Sequence, residues 1–454
     1  MIIVDNALKR REAENRPVLV GMIGAGVQGK AITRTIEKST PGMRMAAISN
    51  RTIENAVAAF SEIGLTPVRC ETQAEVDAAI ASSIPVATTD PSLLANARGL
   101  DAIVEATGSM EFAAHAVLDA IECRKHVILV NAELDGTIGP ILNVKALENG
   151  VVYTAADGDQ PGAQMNLVRF VEGIGLKAVL CGNMKGLYDP YRNPTTQASF
   201  AAKWGLQPAM VASFADGTKI SFEQAVIANG TGMKVAKRGM IGPDFSGGDP
   251  YKPLVPLEET ISGFSEYLDG IGDGPGYVDY VMGARPGPGI FVMAKQIDGD
   301  ERQAHFLNYY KMGAGPYYCF YTPYHLCHFE VPGSIARAVL FEDATLAPKA
   351  GPSVGVIALA KKDLQPGDFI DELGGYEVYG MLENIETIRL ENLIPIGLAI
   401  GGKVKHFIAK DKPITFDDIE VPQGRLIDRL YAEQESAFSS GVETPAAELA
   451  GEFA

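Results

Sequence analysis

Residues 17–30, PVLVGMIGAGVQGK, constrain this chain more than any other stretch. An apolar run ends in Gly24, Gly26 and Gly29, and a helical pattern, QGKAITRTIEKS, follows at once. Glycines in GxGxxG spacing between a strand and a helix serve three purposes: a tight turn, close approach of backbone to a pyrophosphate, and close packing of helix on strand. Val27 and Gln28 then open the helix, whose free N–H groups favour an anion. The spacing therefore predicts a dinucleotide site contacted by Gly24, Gly26, Val27, Gln28 and Gly29.

The pattern continues. Over residues 17–150 short apolar runs (RMAAIS, LDAIVEATG, HVILVN) alternate with helical ones (IENAVAAFSEIG, FAAHAVLDAIE, LNVKALENG). Such alternation predicts right-handed βαβ units and a parallel sheet covered on both faces. Residues 75–97 read as a helix and a short strand inserted before the next sheet strand. From about residue 151 Gly, Pro and aromatic residues become dense, and PAMVASFADGTKISFEQAVI suggests two strands joined at an Asp216-Gly217 turn. Residues 352–422 read as a small β-rich module, and the small, polar end of the chain as a disordered tail. The expected partition is a dinucleotide-binding Rossmann domain at 1–155, a mixed α+β substrate-binding and dimerisation domain at 156–350, a β-rich module at 351–432 and a tail at 433–454. The fold class is α/β.

Composition narrows the partners. The chain has 454 residues, enough for two or three domains, and a net charge of −17. Nucleic acid and anionic membrane surfaces would both repel it, so a small molecule is the expected partner. Its five cysteines are odd in number, scattered and without CxxC spacing, which argues against a disulfide framework and a structural zinc site. The N-terminus does not read as a signal peptide, and no run approaches the ~18 apolar residues of a membrane span. A soluble cytoplasmic protein is expected, with the long Gly/Pro loops of 240–290 suited to a homo-oligomer.

The end of the second predicted strand speaks to the cofactor. A free ribose 2′-hydroxyl usually meets an acid there, whereas this chain offers Ser49, Asn50, Arg51 and Thr52. Arg51 suits a 2′-phosphate, with Asn50 and Thr52 beside it, so NADP(H) is expected over NAD(H). Thr107 and Gly108, in EATGSMEF, are placed to line the nicotinamide half.

Acids and lysines supply the candidate chemistry. Glu133 and Asp135 follow the apolar run VILV, and Asp157 and Asp159 stand in AADGDQPG. If these loops converge at the carboxyl ends of parallel strands, Glu133, Asp157 and Asp159 form a candidate set for Mg²⁺ or Mn²⁺ polarising a hydroxy-ketone. Their alternative is a turn and an ordinary ion pair. Carbonyl reduction also needs a proton or positive charge for the nascent alkoxide; Lys185, after the predicted strand KAVLCGN, is the candidate, ahead of Lys219. Glu133, Asp159 and Lys185 are thus the catalytic candidates. Asn229, Thr231, Lys234, Lys237 and Arg238 fall within ten residues and could form a substrate phosphate subsite or a solvated basic face. His325 and His328, in an aromatic and extended neighbourhood with Cys327 between them, read as packed rather than metal-bound; His115 and His126 read as structural.

Taken together, GxGxxG, ATG at 106–108 and VNAE at 130–133 resemble the homoserine-dehydrogenase-like oxidoreductases. PYHLCHFEVPGSIARAVL and GPGIFVMAK resemble more closely their branch of 1-deoxyxylulose 5-phosphate reductoisomerase-like enzymes, and ALAKKDLQPGDFID with PIGLAIGGKVKHFIAKDKPIT resembles the SAF module appended to that branch. The resemblance covers residues 8–432. It implies NADPH-dependent rearrangement and reduction of a sugar phosphate. Homoserine dehydrogenases carry a lysine at the position of Glu133, and a carboxylate does not stabilise an alkoxide, so homoserine chemistry is not expected. Alternatives are dehydrogenation or redox-neutral epimerisation of another sugar, and an NADP(H)-sensing protein without turnover.

Overall fold

The computed structural model describes residues 4–246, 255–272, 274–297, 300–349 and 351–439. Two units emerge from the pattern of contacts: residues 1–159 with 326–349 and 424–454, and residues 160–325 with 350–423.

The first unit is built on seven strands: β1 Val18–Ile23, β2 Met43–Ser49, β3 Val68–Arg69, β4 Val86–Thr88, β5 Ala102–Glu105, β6 His126–Leu129 and β7 Tyr153–Ala155. Their order is β3-β4-β2-β1-β5-β6-β7, and every pairing is parallel. This is the expected Rossmann arrangement, with the order reversing between β1 and β5. The strands are apolar at nearly every position because helices cover both faces. The segment read as an insertion belongs to the sheet: β4 pairs with β2, continuing it outward.

Two later segments return to this unit. The helix Cys327–Phe341 packs on the helix Val27–Ser39, adding Val331, Ile335 and Ala336 to the same core. The neighbourhood of Cys327 and His328 is therefore helical, not extended; Pro332 lies inside the helix and does not stop it. The helix Leu426–Phe438 packs on the helix Ala132–Glu148. Its first turn is capped by Glu111, whose carboxylate accepts from Leu426 N at 2.8 Å and Ile427 N at 3.0 Å. Residues 433–438 are thus helical rather than tail; the stretch 440–454 lies outside the described residues.

The second unit centres on four strands, β8 Leu176–Lys185, β10 Tyr277–Met282, β12 Ile290–Gln296 and β13 Tyr317–Thr322, in the order β10-β8-β12-β13. A two-residue parallel pair, β9 Val255–Pro256 with β11 Ala284–Arg285, stands beside them. The helices Gln160–Gly173 and Thr218–Thr231 pack on the four-stranded sheet. Residues 208–231 are not a hairpin. Asp216 and Gly217 join two helices, Pro208–Ala215 and Thr218–Thr231, with Gly217 at φ +95° and the Asp216 carboxylate accepting from Thr218 N at 2.9 Å. The second helix is buried on nearly every side, so its sequence lacks a polar stripe and its mixed pattern passes for alternation. The β-rich reading of 352–422 holds: β14 Val354–Ala360 pairs antiparallel with β15 Val378–Asn384, and β16 Lys403–Val404 with β17 Ile419–Glu420.

Candidate functional site

The glycine loop has the geometry its spacing demands. Gly24 takes φ +105°, and a Cβ there would stand 2.8 Å from the Ala106 carbonyl oxygen, in the loop after β5. A Cβ on Gly29 would approach the Gly24 carbonyl oxygen to 2.2 Å, so the helix sits on the turn only because it has none. Gly26 differs: a Cβ there meets nothing within 4 Å. It is the N-cap of the helix Val27–Ser39, no side chain caps that helix, and Gly26, Val27 and Gln28 are all exposed. Open space over an uncapped helix N-terminus is what a dinucleotide pyrophosphate requires, so the residues present fit the cofactor.

Asn50 braces this loop: its Oδ1 accepts from Ala25 N at 2.9 Å and its Nδ2 donates to the Thr52 carbonyl at 2.8 Å. Arg51 beside it is exposed and makes no hydrogen bond or ion pair with the described residues. Thr52 is the exposed N-cap of the helix Ile53–Ser61, again without a side-chain cap bond. Ser49 is buried in β2.

After β5, Thr107 donates its backbone N–H to Glu105 Oε1 at 2.8 Å, and its hydroxyl donates to the same oxygen. Sequence reasoning passed over Glu105. It is completely buried, burial raises it to about 7, and its Oε2 has no partner among the described residues. The available signal was an acid closing a buried apolar strand, AIVE, where charge is costly.

The acids expected in a loop after β6 lie in a helix. Asn131 caps it, accepting from Leu134 N at 3.0 Å, and Glu133 and Asp135 occupy its first turn, where the helix dipole favours negative charge. Glu133 is half-buried. Asp135 is buried, raised by burial to about 7, and held by the Tyr153 hydroxyl at 3.1 Å. Asp157 and Asp159 lie beneath the helix Cys327–Phe341. Asp157 N donates to Ser334 Oγ at 2.7 Å, and the Cys327 thiol donates to Asp159 Oδ1 at 3.6 Å. Gly158 between them takes φ +80°, and a Cβ there would stand 2.8 Å from the Leu326 carbonyl oxygen. Among the described residues Glu133 and Asp157 join no close group of three metal-ligating side chains. The expected Glu133–Asp157–Asp159 metal set is therefore not assembled, because the returning helix takes up the second pair of acids.

In the second unit Lys185 ends β8, half-buried, with Nζ donating to the Phe214 carbonyl at 3.2 Å. Two residues earlier, Asn183 joins a buried chain of amides and acid: Gln164 Nε2 donates to Asn183 Oδ1 at 2.7 Å, and Asn183 Nδ2 to Glu223 Oε2 at 2.8 Å. Lys219 is not on a strand but in the first turn of the helix Thr218–Thr231.

The basic cluster is engaged by the β-rich module. Asn229 is buried, and its Oδ1 accepts from Ser353 N at 2.8 Å and Val354 N at 3.2 Å. The Thr231 hydroxyl donates to the Ile227 carbonyl of its own helix at 2.8 Å. Lys234 pairs with Glu386 at 2.6 Å, and Arg238 with Glu383 and Glu391, each at 2.6 Å. Lys237 alone of the group is exposed. Of these residues, then, the structure turns Asn229, Lys234 and Arg238 toward module partners rather than together. Of the histidines, His126 Nδ1 accepts from Val152 N at 3.0 Å, a structural role, and exposed His115 faces Glu111 at 3.2 Å.

Residues 158–331 match the family described as oxidoreductase DRL, catalytic domain. That span contains Asp159, Lys185, Asn229, Thr231, Lys234 and Lys237. No curated relative matches the chain. Among solved structures, a probable dehydrogenase from Thermotoga maritima is 14% identical, over 62% of this chain and 74% of that one, with a TM-score of 0.36. The myo-inositol dehydrogenase of Lactobacillus casei, in complex with NAD(H) and myo-inositol, is 17% identical over 40% of this chain and 50% of its own, with a TM-score of 0.29. The scyllo-inositol dehydrogenase of the same organism is 13% identical over 41% and 48%, with a TM-score of 0.30. The chain spans about half the length of these inositol dehydrogenases. No helix among the described residues is long and apolar enough to cross a membrane.

Proposed function

We propose that this chain is an NADP(H)-dependent oxidoreductase acting on a small polar hydroxy-carbonyl compound, a sugar or sugar phosphate, with the reductoisomerase-like reaction on 1-deoxyxylulose 5-phosphate as the first candidate. The observation that carries the reading is Gly26, open over the uncapped start of the helix Val27–Ser39 and followed in the chain by a match to an oxidoreductase catalytic domain. In this reading Gly24 to Gly29 hold the pyrophosphate, Arg51 and Thr52 the ribose phosphate, and Thr107 and Gly108 the nicotinamide half. Bound there, the nicotinamide gives or takes a hydride.

The chain's own groups serve the proton and the charge. Lys185 commits one N–H to the Phe214 carbonyl and keeps two for a substrate oxygen. As the carbonyl becomes an alkoxide, the ammonium stabilises the charge or donates the proton. Glu133 orients a substrate hydroxyl from the first turn of its helix, and Asp159, whose carboxylate accepts from the Cys327 thiol, is the second candidate acid. Glu133 joins no close group of three metal-ligating side chains among the described residues, so it is not assigned to a metal.

The test is the oxidation of NADPH by purified full chain with 1-deoxyxylulose 5-phosphate and a panel of related sugars and sugar phosphates. Turnover that collapses in Lys185→Met and Glu133→Gln supports the reading. Tight NADPH binding with no turnover across the panel overturns the substrate class and favours a sensor.

A further inference from the structure

The role of the β-rich module follows from one lysine that the sequence did not single out. Lys361, the residue after β14, has a side chain only 4% exposed, yet its ammonium is saturated. Nζ donates to the Arg192 carbonyl at 2.7 Å, the Gly375 carbonyl at 2.8 Å and Asp216 Oδ2 at 2.9 Å. A cation buried this deeply persists only when every N–H finds an acceptor and its charge a counter-charge. Both conditions are met.

Two of the three acceptors lie on the segments that flank Lys185. Arg192 closes the loop that begins directly after Lys185. Asp216 follows the helix Pro208–Ala215, and the end of that helix holds both Lys185 and its loop: Phe214 O receives Lys185 Nζ at 3.2 Å, and Ala215 O receives Asp189 N at 2.8 Å. The module grips the same loop at further points. Tyr191 donates its hydroxyl to Asp411 Oδ2 at 2.9 Å, and Lys410 Nζ stands 3.5 Å over the Tyr191 ring. At the start of the next helix the hydroxyls of Thr195 and Tyr376 lie 2.6 Å apart. The module also presses on the holding helix so closely that a Cβ on Gly374 would stand 2.0 Å from the Ala209 carbonyl oxygen.

We propose that the β-rich module acts on the reaction by positioning Lys185, with Lys361 as the positioning residue that ties the loop after Lys185 to the helix end that receives its ammonium. The inference rests on reading Lys185 as the proton donor. Lys361 touches no reacting atom; it fixes where the Lys185 ammonium can sit. A displaced ammonium would leave cofactor binding intact and slow the chemical step.

The experiment uses full-length protein with lysines labelled by isotopic reductive methylation, so that NMR reports the Lys185 methyl resonance, assigned by its loss in Lys185→Arg. Lys361→Met is the direct variant. Tyr191→Phe combined with Asp411→Asn loosens the same loop at exposed positions and is used where Lys361→Met does not fold. In either variant the Lys185 resonance is expected to shift and broaden, and kcat to fall about ten- to a hundredfold with KM and the NADPH dissociation constant within about twofold. An unchanged Lys185 resonance in a folded variant overturns the proposal, as does a loss confined to thermal stability. Undiminished turnover in Lys185→Met would instead refute the proton-donor reading, a result separate from the NMR arm.

Discussion

Asp135 Oδ1 accepts the Tyr153 hydroxyl at 3.1 Å in a place where each side chain is almost wholly buried. The other carboxylate oxygen, Oδ2, has no partner among the described residues, and the same holds for Oε2 of Glu105. Both acids stand near the carboxyl edge of the parallel sheet, Glu105 at the end of β5 and Asp135 in the helix that follows β6. Each is raised to about 7, burial being the largest cause in both.

A carboxyl whose folded value lies above its unfolded one binds more protons in the folded state. Its contribution is full below the unfolded value and is lost as pH rises through the folded one. The window here runs from about 4, the unfolded range, to about 7. Urea unfolding should therefore give a stability lower at about pH 8 than at about pH 5 by about 2 kcal/mol or more. Asp135→Asn should flatten that dependence. A slope unchanged in Asp135→Asn and in Glu105→Gln would show that neither acid is protonated at the lower pH.

The glycines of the loop should separate folding from binding. Gly29→Ala places a Cβ 2.2 Å from a backbone oxygen, so the helix must move and the protein loses stability. Gly26→Val adds a side chain in open space, and its melting temperature should stay within about 2 °C of wild type. Its NADPH affinity should nonetheless fall by about tenfold or more, because the side chain would occupy the proposed pyrophosphate position. Calorimetric titration and thermal melts on the two variants check the contrast.

Arg51 should set cofactor choice. Its guanidinium is exposed and makes no bond with the described residues, so replacing it disturbs nothing else in the fold. Arg51→Ala should weaken NADPH by about ten- to a hundredfold, the scale of a charge-assisted pair with phosphate, and leave NADH nearly unchanged. Equal losses for both nucleotides would place the 2′-phosphate elsewhere.

Asn229 should behave as a structural residue. Its Oδ1 receives two backbone N–H groups at the start of the β-rich module. Asn229→Ala should cost about 1–3 kcal/mol in denaturant unfolding, the cost of stranding buried donors. Substrate KM should not change. A raised KM with intact stability would return Asn229 to the substrate site.

What was legible in the sequence follows physical range. The Rossmann sheet and its glycine turn are local: period, turn chemistry and helix start all lie within about thirty residues, and each agrees with the fold. The Asp216-Gly217 segment failed because a helix buried all round carries no amphipathic stripe, so its composition imitates a strand. The surroundings of the acids at 157 and 159 were not legible for another reason. Their environment is made by a helix that begins at Cys327, far along the chain, and no local pattern announces that return. Lys361 was invisible on the same grounds, since its acceptors lie at 192, 216 and 375. The positions of Arg51, just past β2, and Lys185, at the end of β8, were legible because each adjoins a readable strand.

Titration of NADPH into the purified chain, followed by nicotinamide fluorescence, tests whether a reduced nicotinamide cofactor seats over Gly26. The expected result is saturation at one nucleotide per chain, NADH weaker by about tenfold or more, and loss of the signal in Gly26→Val with the fold intact. Binding that survives unchanged in Gly26→Val, or no binding of either nucleotide, would contradict it.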